Sequence, residues 1–287
     1  MRLALGTVQF GLSYGIANQV GQVSRTATSS ILKLALSSGI NMLDTAIAYG
    51  ESEATLGLIG VKAFKIVTKL PPFPSGCDVQ EWVFNQISES FLRLNIDSAY
   101  GVLLHSPQQL EGPNGAELYR ALQLLKDKGL ASKIGISIYS PAELTSLYKK
   151  FHLDLVQAPF NLVDRRLLNT GWIRRLKDQG VEIHTRSAFL QGLLLMNRAE
   201  IPSKFERWKS TFEKWHSYLK ENNISALTAS LAYPLSFPEI DKIIIGVESQ
   251  QQLAQILAAS NQLKKIDLPD LSSDDEYFVN PTNWLKL

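Results

Sequence analysis

Eight short apolar runs alternate with longer amphipathic segments, and this alternation limits the possible folds more than any other feature of the chain. Each run has the length of a strand, and most are followed by a helical period. Eight such units in alternation favour a parallel barrel over a doubly wound sheet. We therefore predict an α/β fold, one (β/α)8 TIM barrel domain covering residues 1–287. The predicted strands are Leu3–Gly6, Met42–Asp44, Lys65–Lys69, Tyr100–His105, Lys133–Ile138, Leu155–Phe160, Glu182–Ser187 and Lys242–Val247.

Two segments depart from this repeat. Ala188–Ile201, after the seventh predicted strand, is a long loop, and Ser203–Asn223 is an amphipathic helix with Ser203 as its N-cap. The tail, Asp267–Leu287, has no helical period, but its aromatic residues predict that it folds back over the barrel mouth. The other predicted helices are Thr26–Ser38, Val79–Leu94, Ala116–Lys128, Pro141–Lys150 and Gly171–Gln179.

Composition and charge exclude several classes of protein. A formal net charge of +2 over 287 residues is too small for a nucleic-acid-binding surface. The single cysteine, Cys77, excludes an intramolecular disulfide and a cysteine-cluster metal site. No run approaches the roughly 18 apolar residues of a membrane span, and the segment from Met1 to Gly6 lacks the apolar core of a signal peptide. We expect a cytoplasmic protein with a small molecule, rather than nucleic acid, membrane or metal, as its partner.

Four ionisable residues lie where predicted strands end. Asp44 ends the second strand and Tyr49 follows it, Lys69 ends the third and His105 ends the fourth. Because parallel strands of a barrel end at one mouth, these side chains should converge there. A phenol is a poor acid at neutral pH, and a neighbouring ammonium favours the phenolate and makes proton donation easier. With a carboxylate to hold the amine and an imidazole to orient a substrate, the set can protonate a carbonyl oxygen.

Each of these residues also has a simpler explanation by itself. His105 can be a hydrogen-bonded structural histidine, Lys69 can extend its ammonium to solvent, and Asp44 can cap a turn. Four such coincidences at successive strand ends are much rarer than one, so we favour an active site. Two other functions stay open. One is a non-catalytic regulatory or binding subunit on the same fold, and the other is a Schiff-base aldolase with Lys69 as nucleophile.

Short motifs around the strands occur in the order and spacing of a known family. They are Gly6-Thr7 before Phe10-Gly11, Asp44-Thr45-Ala46-x-x-Tyr49-Gly50, Ser52-Glu53-x-x-Leu56-Gly57, Val67-Thr68-Lys69, Leu103-Leu104-His105, the segment from Gln157 to Arg166, and Ile244-Ile245-Gly246-Val247 followed by Gln252-Leu253. Each motif is weak alone, whereas their order together is highly specific. The chain resembles the aldo-keto reductase superfamily over nearly its whole length.

The resemblance implies a role for each of the four residues and a cofactor. Tyr49 would be the proton donor, Lys69 and Asp44 the partners that lower its pKa, and His105 the residue that orients the substrate. The family binds a nicotinamide cofactor without a Rossmann glycine loop, and this chain has no such loop. We favour NADP(H) and keep NAD(H) open. The positions that match the family's cofactor site are Gly6, Thr7, Ser137, Gln157, Arg186, Ser187, Phe189, Gln191, Gly246, Val247, Glu248, Gln252 and Gln255.

At several of these positions the chain departs from the family pattern. Ile138 follows Ser137 where the family commonly has asparagine, although Ser137 and Gln157 can still bond the nicotinamide amide. Arg186 replaces a tyrosine that stacks on the nicotinamide ring. Its guanidinium either stacks on that flat ring or turns outward to pair with a carboxylate. Glu248 stands where a basic residue often meets the 2′-phosphate of NADP(H), and a carboxylate there favours a 2′-hydroxyl.

The segment that follows the first predicted strand indicates the class of substrate. The segment from Gly6 to Asn18 resembles a branch of the family found with surface-polysaccharide and sugar-nucleotide pathways. Gln9 and Tyr14 would give a polar, aromatic wall suited to a hydroxylated compound, and Trp284 is the third predicted substrate contact. We therefore predict reduction of an aldehyde or ketone, sugar-derived ones included. The long loop and the tail should border the substrate pocket, so truncation after Asp267 should change substrate preference more than stability.

Overall fold

Parallel strands of three to seven residues pair in chain order and close into a barrel. The computed structural model describes residues 1–74, 76–261 and 266–287, and within these ranges the eighth strand pairs with the first. This confirms the (β/α)8 barrel that the alternation predicts. The strands are β1 (Leu3–Gly6), β2 (Met42–Asp44), β3 (Lys65–Leu70), β4 (Ala99–Leu104), β5 (Ala131–Ser137), β6 (Leu155–Pro159), β7 (Glu182–Arg186) and β8 (Lys242–Gly246).

Helices connect the strands and bury their apolar faces. In the first helix, for example, Ile31, Leu32 and Ala35 form one buried face, and the Ser24 hydroxyl caps the helix by accepting the Ala27 N–H. None of the described helices is both long and apolar enough to cross a membrane. The helices are α1 (Arg25–Ser37), α2 (Ser52–Ile59), α3 (Val79–Leu94), α4 (Gly115–Asp127), α5 (Leu144–Leu147), α6 (Arg166–Asn169), α7 (Trp172–Asp178), α8 (Lys209–Glu221), α9 (Ala226–Leu235), α10 (Gln250–Asn261) and α11 (Glu276–Val279).

The two-residue period of the strands places the candidate site residues in one layer. A small apolar cluster fills the centre of the barrel and contains Ala4, Met42, Val67, Leu103, Leu155 and Ile244. Side chains two positions apart on a strand face the same side. The next inward positions toward the C-terminal mouth are therefore Gly6, Asp44, Lys69, His105, Gln157 and Gly246. By the same count Ser137 and Arg186, at the ends of β5 and β7, join this layer.

The strand boundaries agree with the predicted ones to within two residues, but two helix predictions are wrong. The helix predicted at Pro141–Lys150 is broken, because a capping box of Ser140 and Glu143 starts a 3-10 turn and α5 ends at Leu147. Ser203 is not an N-cap. It opens a 3-10 segment, and α8 begins only at Lys209.

The tail, predicted without a helical period, contains α11 and a 3-10 turn at Pro281–Lys286, and this expectation was wrong. Phe278 stacks on Trp208 with ring centroids 4.8 Å apart, and Trp284 meets Phe205 at 5.0 Å. Phe278 is 0% and Trp284 4% exposed. The tail folds back as expected, but these two aromatic side chains are used in packing against the segment after β7.

Arg166 links the tail to the mouth of the barrel. It forms ion pairs with Asp164 and with Glu276 of α11. Its guanidinium also donates to the carbonyl of Tyr139, after β5, at 3.0 Å. The tail therefore lies beside the loops that follow β5 and β6, at the end of the barrel where the strands terminate.

Replacing Phe278 by Ala should lower the free energy of unfolding by about 3–5 kcal/mol, the usual effect of emptying a buried aromatic site. Tyr277 is 44% exposed, so Tyr277→Ala is the matched control and should change stability by less than about 0.5 kcal/mol. Urea unfolding measures both. Equal effects of the two substitutions would contradict the burial of Phe278.

We also expect truncation after Asp267 to reduce stability. This reverses the expectation from the sequence, which was that truncation would change substrate preference more than stability.

Candidate active site

Lys69 and Asp44 form a buried ion pair at the C-terminal mouth. Lys69 is 0% exposed, and its ammonium donates to the two carboxylate oxygens of Asp44 at 2.8 and 2.7 Å and to the Thr45 carbonyl at 2.9 Å. The Tyr49 hydroxyl lies 3.5 Å from the same Nζ atom. Asp44, Thr45 and the phenol together accept from the three N–H groups of the ammonium and fix its position.

The backbone after β2 positions Tyr49. The Ile47 N–H donates to the Lys69 carbonyl at 3.2 Å, so the chain keeps to β3 beyond the end of β2. Gly50 then takes a φ of 52°, in the left-handed region that glycine adopts most readily. Gly11 packs against this turn, where a Cβ atom would lie 1.9 Å from the Tyr49 carbonyl oxygen. Tyr49 can therefore occupy this place only with glycine at position 11.

His105, the first residue after β4, completes the group. Its ring meets the Tyr49 ring edge to face, with centroids 5.9 Å apart and planes at 77°. Tyr49 and His105 are partly exposed, whereas Lys69 and Asp44 are buried. The structure thus brings all four predicted catalytic residues together, and a ligand at the mouth reaches the phenol and imidazole before the ion pair.

Gln157 ties Asp44 to the opposite side of the barrel. Its Nε2 donates to Asp44 Oδ1 at 2.7 Å, and its Oε1 accepts from the Ser137 hydroxyl at 3.2 Å. Thr7, also predicted to bind cofactor, is buried, and both its N–H and its hydroxyl donate to the Asp44 carbonyl at 3.0 Å. The sequence did not indicate these contacts to Asp44. They hold its carboxylate in register with Lys69.

Burial and charge keep the phenol protonated. Burial, followed by the charge of Asp44, raises the pKa of Tyr49 above its usual value. In the chain itself the pKa of Tyr49 thus shifts in the direction opposite to the expected lowering, because burial disfavours the phenolate and Asp44 adds to that effect. Burial also lowers the pKa of Lys69, an effect that Asp44 opposes. Tyr49 rests in the form that a proton donor requires.

The imidazole of His105 should stay neutral above about pH 5. Burial, followed by the charge of Lys69, lowers the pKa of His105 to about 4, against about 6.5 in an unfolded chain. The folded state therefore resists protonation, and this group makes the protein less stable as pH falls from 6.5 towards 4. We expect the NMR signal of His105, identified by its loss in His105→Gln, not to titrate from about pH 5 to 8. A His105 signal titrating near its ordinary value would contradict this.

Arg186 points into the mouth from the end of β7. Its guanidinium carbon lies 4.6 Å from the centroid of the Tyr139 ring. It donates to the Ile138 carbonyl at 2.9 Å and to the Ser187 hydroxyl at 3.3 Å. Of the two orientations that the sequence left open, pairing with a carboxylate is not what the described residues show. The guanidinium instead faces an aromatic ring, that of Tyr139, which the sequence did not single out.

A pair of glycines lies side by side where β1 and β8 reach the mouth. Gly6 lies opposite Gly246 in the strand register. A Cβ at Gly246 would lie 2.5 Å from Gln9 Nε2, so glycine makes room for that amide. Gln9 Oε1 is buried and lacks a hydrogen-bond partner within the described ranges. The unused amide oxygen of Gln9 can accept a hydrogen bond from a ligand carboxamide, such as that of nicotinamide.

The loops after β1 and β7 meet at the mouth. Ser187, Leu190 and Gln191 have φ values of 63°, 48° and 54°, and such strained residues cluster at binding sites. Gln191 Nε2 donates to the Tyr14 hydroxyl at 3.0 Å, and the Gln191 carbonyl accepts the Ala17 N–H at 3.4 Å. The predicted cofactor residue Gln191 and the predicted substrate residue Tyr14 are therefore direct neighbours.

The remaining predicted cofactor residues, which lie after β7 and β8, differ in how far their side chains are exposed. Phe189 and Val247 are buried in the core. Glu248 follows β8, and its N–H donates to Gln252 Oε1 at 2.7 Å. Burial raises the pKa of the half-buried Glu248 carboxyl, and a hydrogen bond from Gln252 opposes this. Gln255 is exposed one turn further along α10.

Trp284, predicted to touch substrate, lies elsewhere. Its indole N–H donates to the Phe278 carbonyl at 3.1 Å, and its side chain offers little free surface to a ligand. No three His, Cys, Asp or Glu side chains of the described chain lie together as a metal site.

Comparison with known proteins identifies the family of the chain. The Aldo/keto reductase family profile matches residues 2–273. The chain is 27% identical to L-galactose dehydrogenase of Arabidopsis thaliana, covering 97% of this chain and 92% of that protein. It is 24% identical to D-threo-aldose 1-dehydrogenase of a Pseudomonas species, covering 88% and 89%.

The fold is shared with a solved aldo-keto reductase. The holo form of that enzyme, from Bacillus halodurans, gives a TM-score of 0.74 at 20% identity, covering 93% of this chain and 88% of the other. The profile match and the oxidoreductase relatives show that this protein is an enzyme, an NAD(P)H-dependent reductase. The chain belongs to the aldo/keto reductase family.

Proposed function

We propose that this enzyme uses NADP(H) to reduce an aldehyde or a ketone to an alcohol, sugar-derived carbonyl compounds included. The observation that carries the proposal is the Tyr49 hydroxyl 3.5 Å from the ammonium of a buried Lys69–Asp44 pair, with His105 beside it. The names of two relatives, an L-galactose dehydrogenase and a D-threo-aldose 1-dehydrogenase, support the sugar class.

In this proposal Tyr49 gives its proton to the carbonyl oxygen. The phenol is protonated at rest, since burial raises its pKa. As the proton leaves, the Lys69 ammonium stabilises the developing phenolate, and Asp44 keeps that ammonium charged and in place. Neutral His105 can donate a hydrogen bond to the same substrate oxygen and orient it.

The nicotinamide cofactor supplies the hydride when it is bound. Gly6 and Gly246 lie on its side of the mouth, and Ser137, Gln157 and the unused amide oxygen of Gln9 can form hydrogen bonds with its carboxamide. The rest of the cofactor would lie along the loops after β7 and β8. The residues there are Arg186, Ser187, Phe189, Gln191, Val247, Glu248, Gln252 and Gln255.

The geometry of Lys69 favours reduction over Schiff-base chemistry. An imine forms from an unprotonated amine that a carbonyl carbon can reach. Lys69 is fully buried, and Asp44 and Thr45 occupy its N–H groups. Borohydride added with substrate should therefore trap no adduct. A mass increase on Lys69 would support the aldolase instead.

Oxidation of NADPH and NADH across a panel of aldehydes, ketones and keto-sugars tests the proposal. We expect carbonyl-dependent oxidation, faster with NADPH, with one alcohol formed per cofactor consumed. Tyr49→Phe serves as the inactive control. A panel on which no carbonyl compound is reduced would contradict the reductase activity.

We also propose that residues 1–287 form one domain and that the protein is cytoplasmic. Limited proteolysis tests the first proposal, and cell fractionation tests the second.

Glu248→Arg should tighten NADPH binding more than NADH binding. If Glu248 lies near the 2′ position of the ribose, its carboxylate repels the phosphate, by about 1–4 kcal/mol at ~4 Å depending on solvent exposure. Fluorescence titration gives both dissociation constants. Glu239→Arg is the matched control, because Glu239 is exposed before β8, at the opposite end of that strand. No differential change in Glu248→Arg would show that this residue is not at the ribose.

A further inference from the structure

Glu53 is a buried carboxylate that takes no direct part in the proposed reaction. It lies in the first turn of α2, just after the turn that contains Tyr49, and it is 1% exposed. A charge buried so deeply is costly unless it is paired and fully hydrogen-bonded. Glu53 meets both conditions, and its partners come from two other elements of the fold, β3 and α3.

Four donors occupy the two oxygens of this carboxylate. The hydroxyls of Thr68 on β3 and Ser90 on α3 donate to Oε1 at 2.8 and 2.7 Å. The guanidinium of Arg93, also on α3, donates to Oε2 through Nε at 3.0 Å and through Nη2 at 2.8 Å. A carboxylate accepts about four hydrogen bonds, so these donors leave Glu53 little capacity for a ligand. It connects parts of the chain instead.

The bond from Thr68 joins the two segments that carry Tyr49 and Lys69. Thr68 precedes Lys69 on β3, and its side chain is fully buried. On the other side, the Tyr49 carbonyl accepts the N–H of Ser52, the residue before Glu53, at 3.0 Å. One hydrogen bond therefore connects the neighbour of Lys69 to the helix that begins at the turn of Tyr49.

This turn is tied to β3 on both sides of the phenol. Before Tyr49 in the chain, the Ile47 N–H donates to the Lys69 carbonyl at 3.2 Å. After it, Glu53 accepts from Thr68 at 2.8 Å. Between these two ties, the Tyr49 hydroxyl lies 3.5 Å from Lys69 Nζ, which is already long for a hydrogen bond. A small shift of the turn against β3 would separate the phenol from the ammonium.

We propose that Glu53 is a positioning residue, which through Thr68 fixes the distance between the Lys69 ammonium and the Tyr49 hydroxyl. The inference rests on the proposed function, in which that ammonium stabilises the developing phenolate. A misplacement of about 1 Å at an active site can cost about 10²-fold in rate. The alternative is a purely structural role, in which the carboxylate only anchors α2 to α3 through Ser90.

Two matched variants separate these roles, because each removes one hydroxyl donor to Glu53 Oε1. In Thr68→Val we expect kcat for carbonyl reduction to fall on the order of 10- to 100-fold, with KM and the dissociation constant of NADPH nearly unchanged. Thr68→Ser keeps the hydroxyl and should keep most of kcat. Ser90→Ala removes the bond from α3, which carries none of the proposed catalytic residues, and should keep kcat. Urea unfolding should show similar losses of stability in Ser90→Ala and Thr68→Val.

Crystal structures of the variants give a second measurement that needs no activity. The distance from Lys69 Nζ to the Tyr49 hydroxyl should exceed the present 3.5 Å in Thr68→Val and stay unchanged in Ser90→Ala. If Thr68→Val keeps its kcat or this distance, or if the two variants lose kcat equally, Glu53 only holds the helices together and the inference is overturned. If the wild type reduces no carbonyl compound, the proposed function fails, and the distance alone then decides the inference.

Discussion

Tyr49→Phe is expected to lower kcat for carbonyl reduction by about 10²–10⁴-fold, the usual contribution of general acid catalysis. The substitution removes the proposed proton donor and leaves the ring that packs against His105. The buried ion pair beside it keeps its own hydrogen bonds. Cofactor affinity should therefore stay nearly intact, and fluorescence titration with NADPH checks this separately from turnover.

Tyr119→Phe is the matched control for that experiment. The Tyr119 hydroxyl donates to the His152 carbonyl at 2.8 Å, so this variant also loses a phenolic hydrogen bond, but outside the site. It should keep its turnover. If Tyr49→Phe likewise keeps most of its activity, another group or a water molecule supplies the proton, and the role given to Tyr49 is wrong.

Lys69→Met should damage both activity and stability. Without the ammonium, the departing proton leaves a phenolate that has lost its adjacent positive charge, so turnover should fall by a factor similar to that of Tyr49→Phe. Asp44 would also stay buried without its counter-ion. Breaking a buried pair in this way lowers the free energy of unfolding by about 3–5 kcal/mol.

A double variant separates the two effects. Asp44→Asn combined with Lys69→Met removes the uncompensated charge, while Gln157 can still donate to the amide oxygen at position 44. Stability should recover in large part and activity should not. A double variant as unstable as Lys69→Met alone would show that the lost stability comes from packing at Lys69 rather than from the buried charge of Asp44.

The sequence predicts the barrel and the catalytic group well because both depend on local periods. Alternation of strands and helices specifies the barrel. Two-residue alternation then places Asp44, Lys69 and His105 in one layer above the apolar centre. Nothing in this reasoning needs knowledge of which distant side chains touch.

Local sequence patterns could not predict contacts between distant parts of the chain. Gln157 bonds Asp44 across 113 residues, and Arg186 lies over the Tyr139 ring, a pairing that depends on how two separate loops fold. The sequence also could not predict how deeply the side chains of the site are buried. The sequence places Lys69 near Tyr49, but the direction of the Tyr49 pKa depends on desolvation and on the balancing charge of Asp44.

If nicotinamide rests beside Gly6 and Gly246, as we propose, cofactor binding requires a complete barrel. Gly6 and Gly246 come from strands near opposite ends of the chain, and they become neighbours only when β8 pairs with β1. Before that step, a growing chain can already hold β2, β3 and β4, and with them the four proposed catalytic residues, yet it lacks the surface on which we propose that nicotinamide rests. Since a ligand stabilises only the state that binds it, the dinucleotide pool of the cell would favour finished barrels over truncated ones.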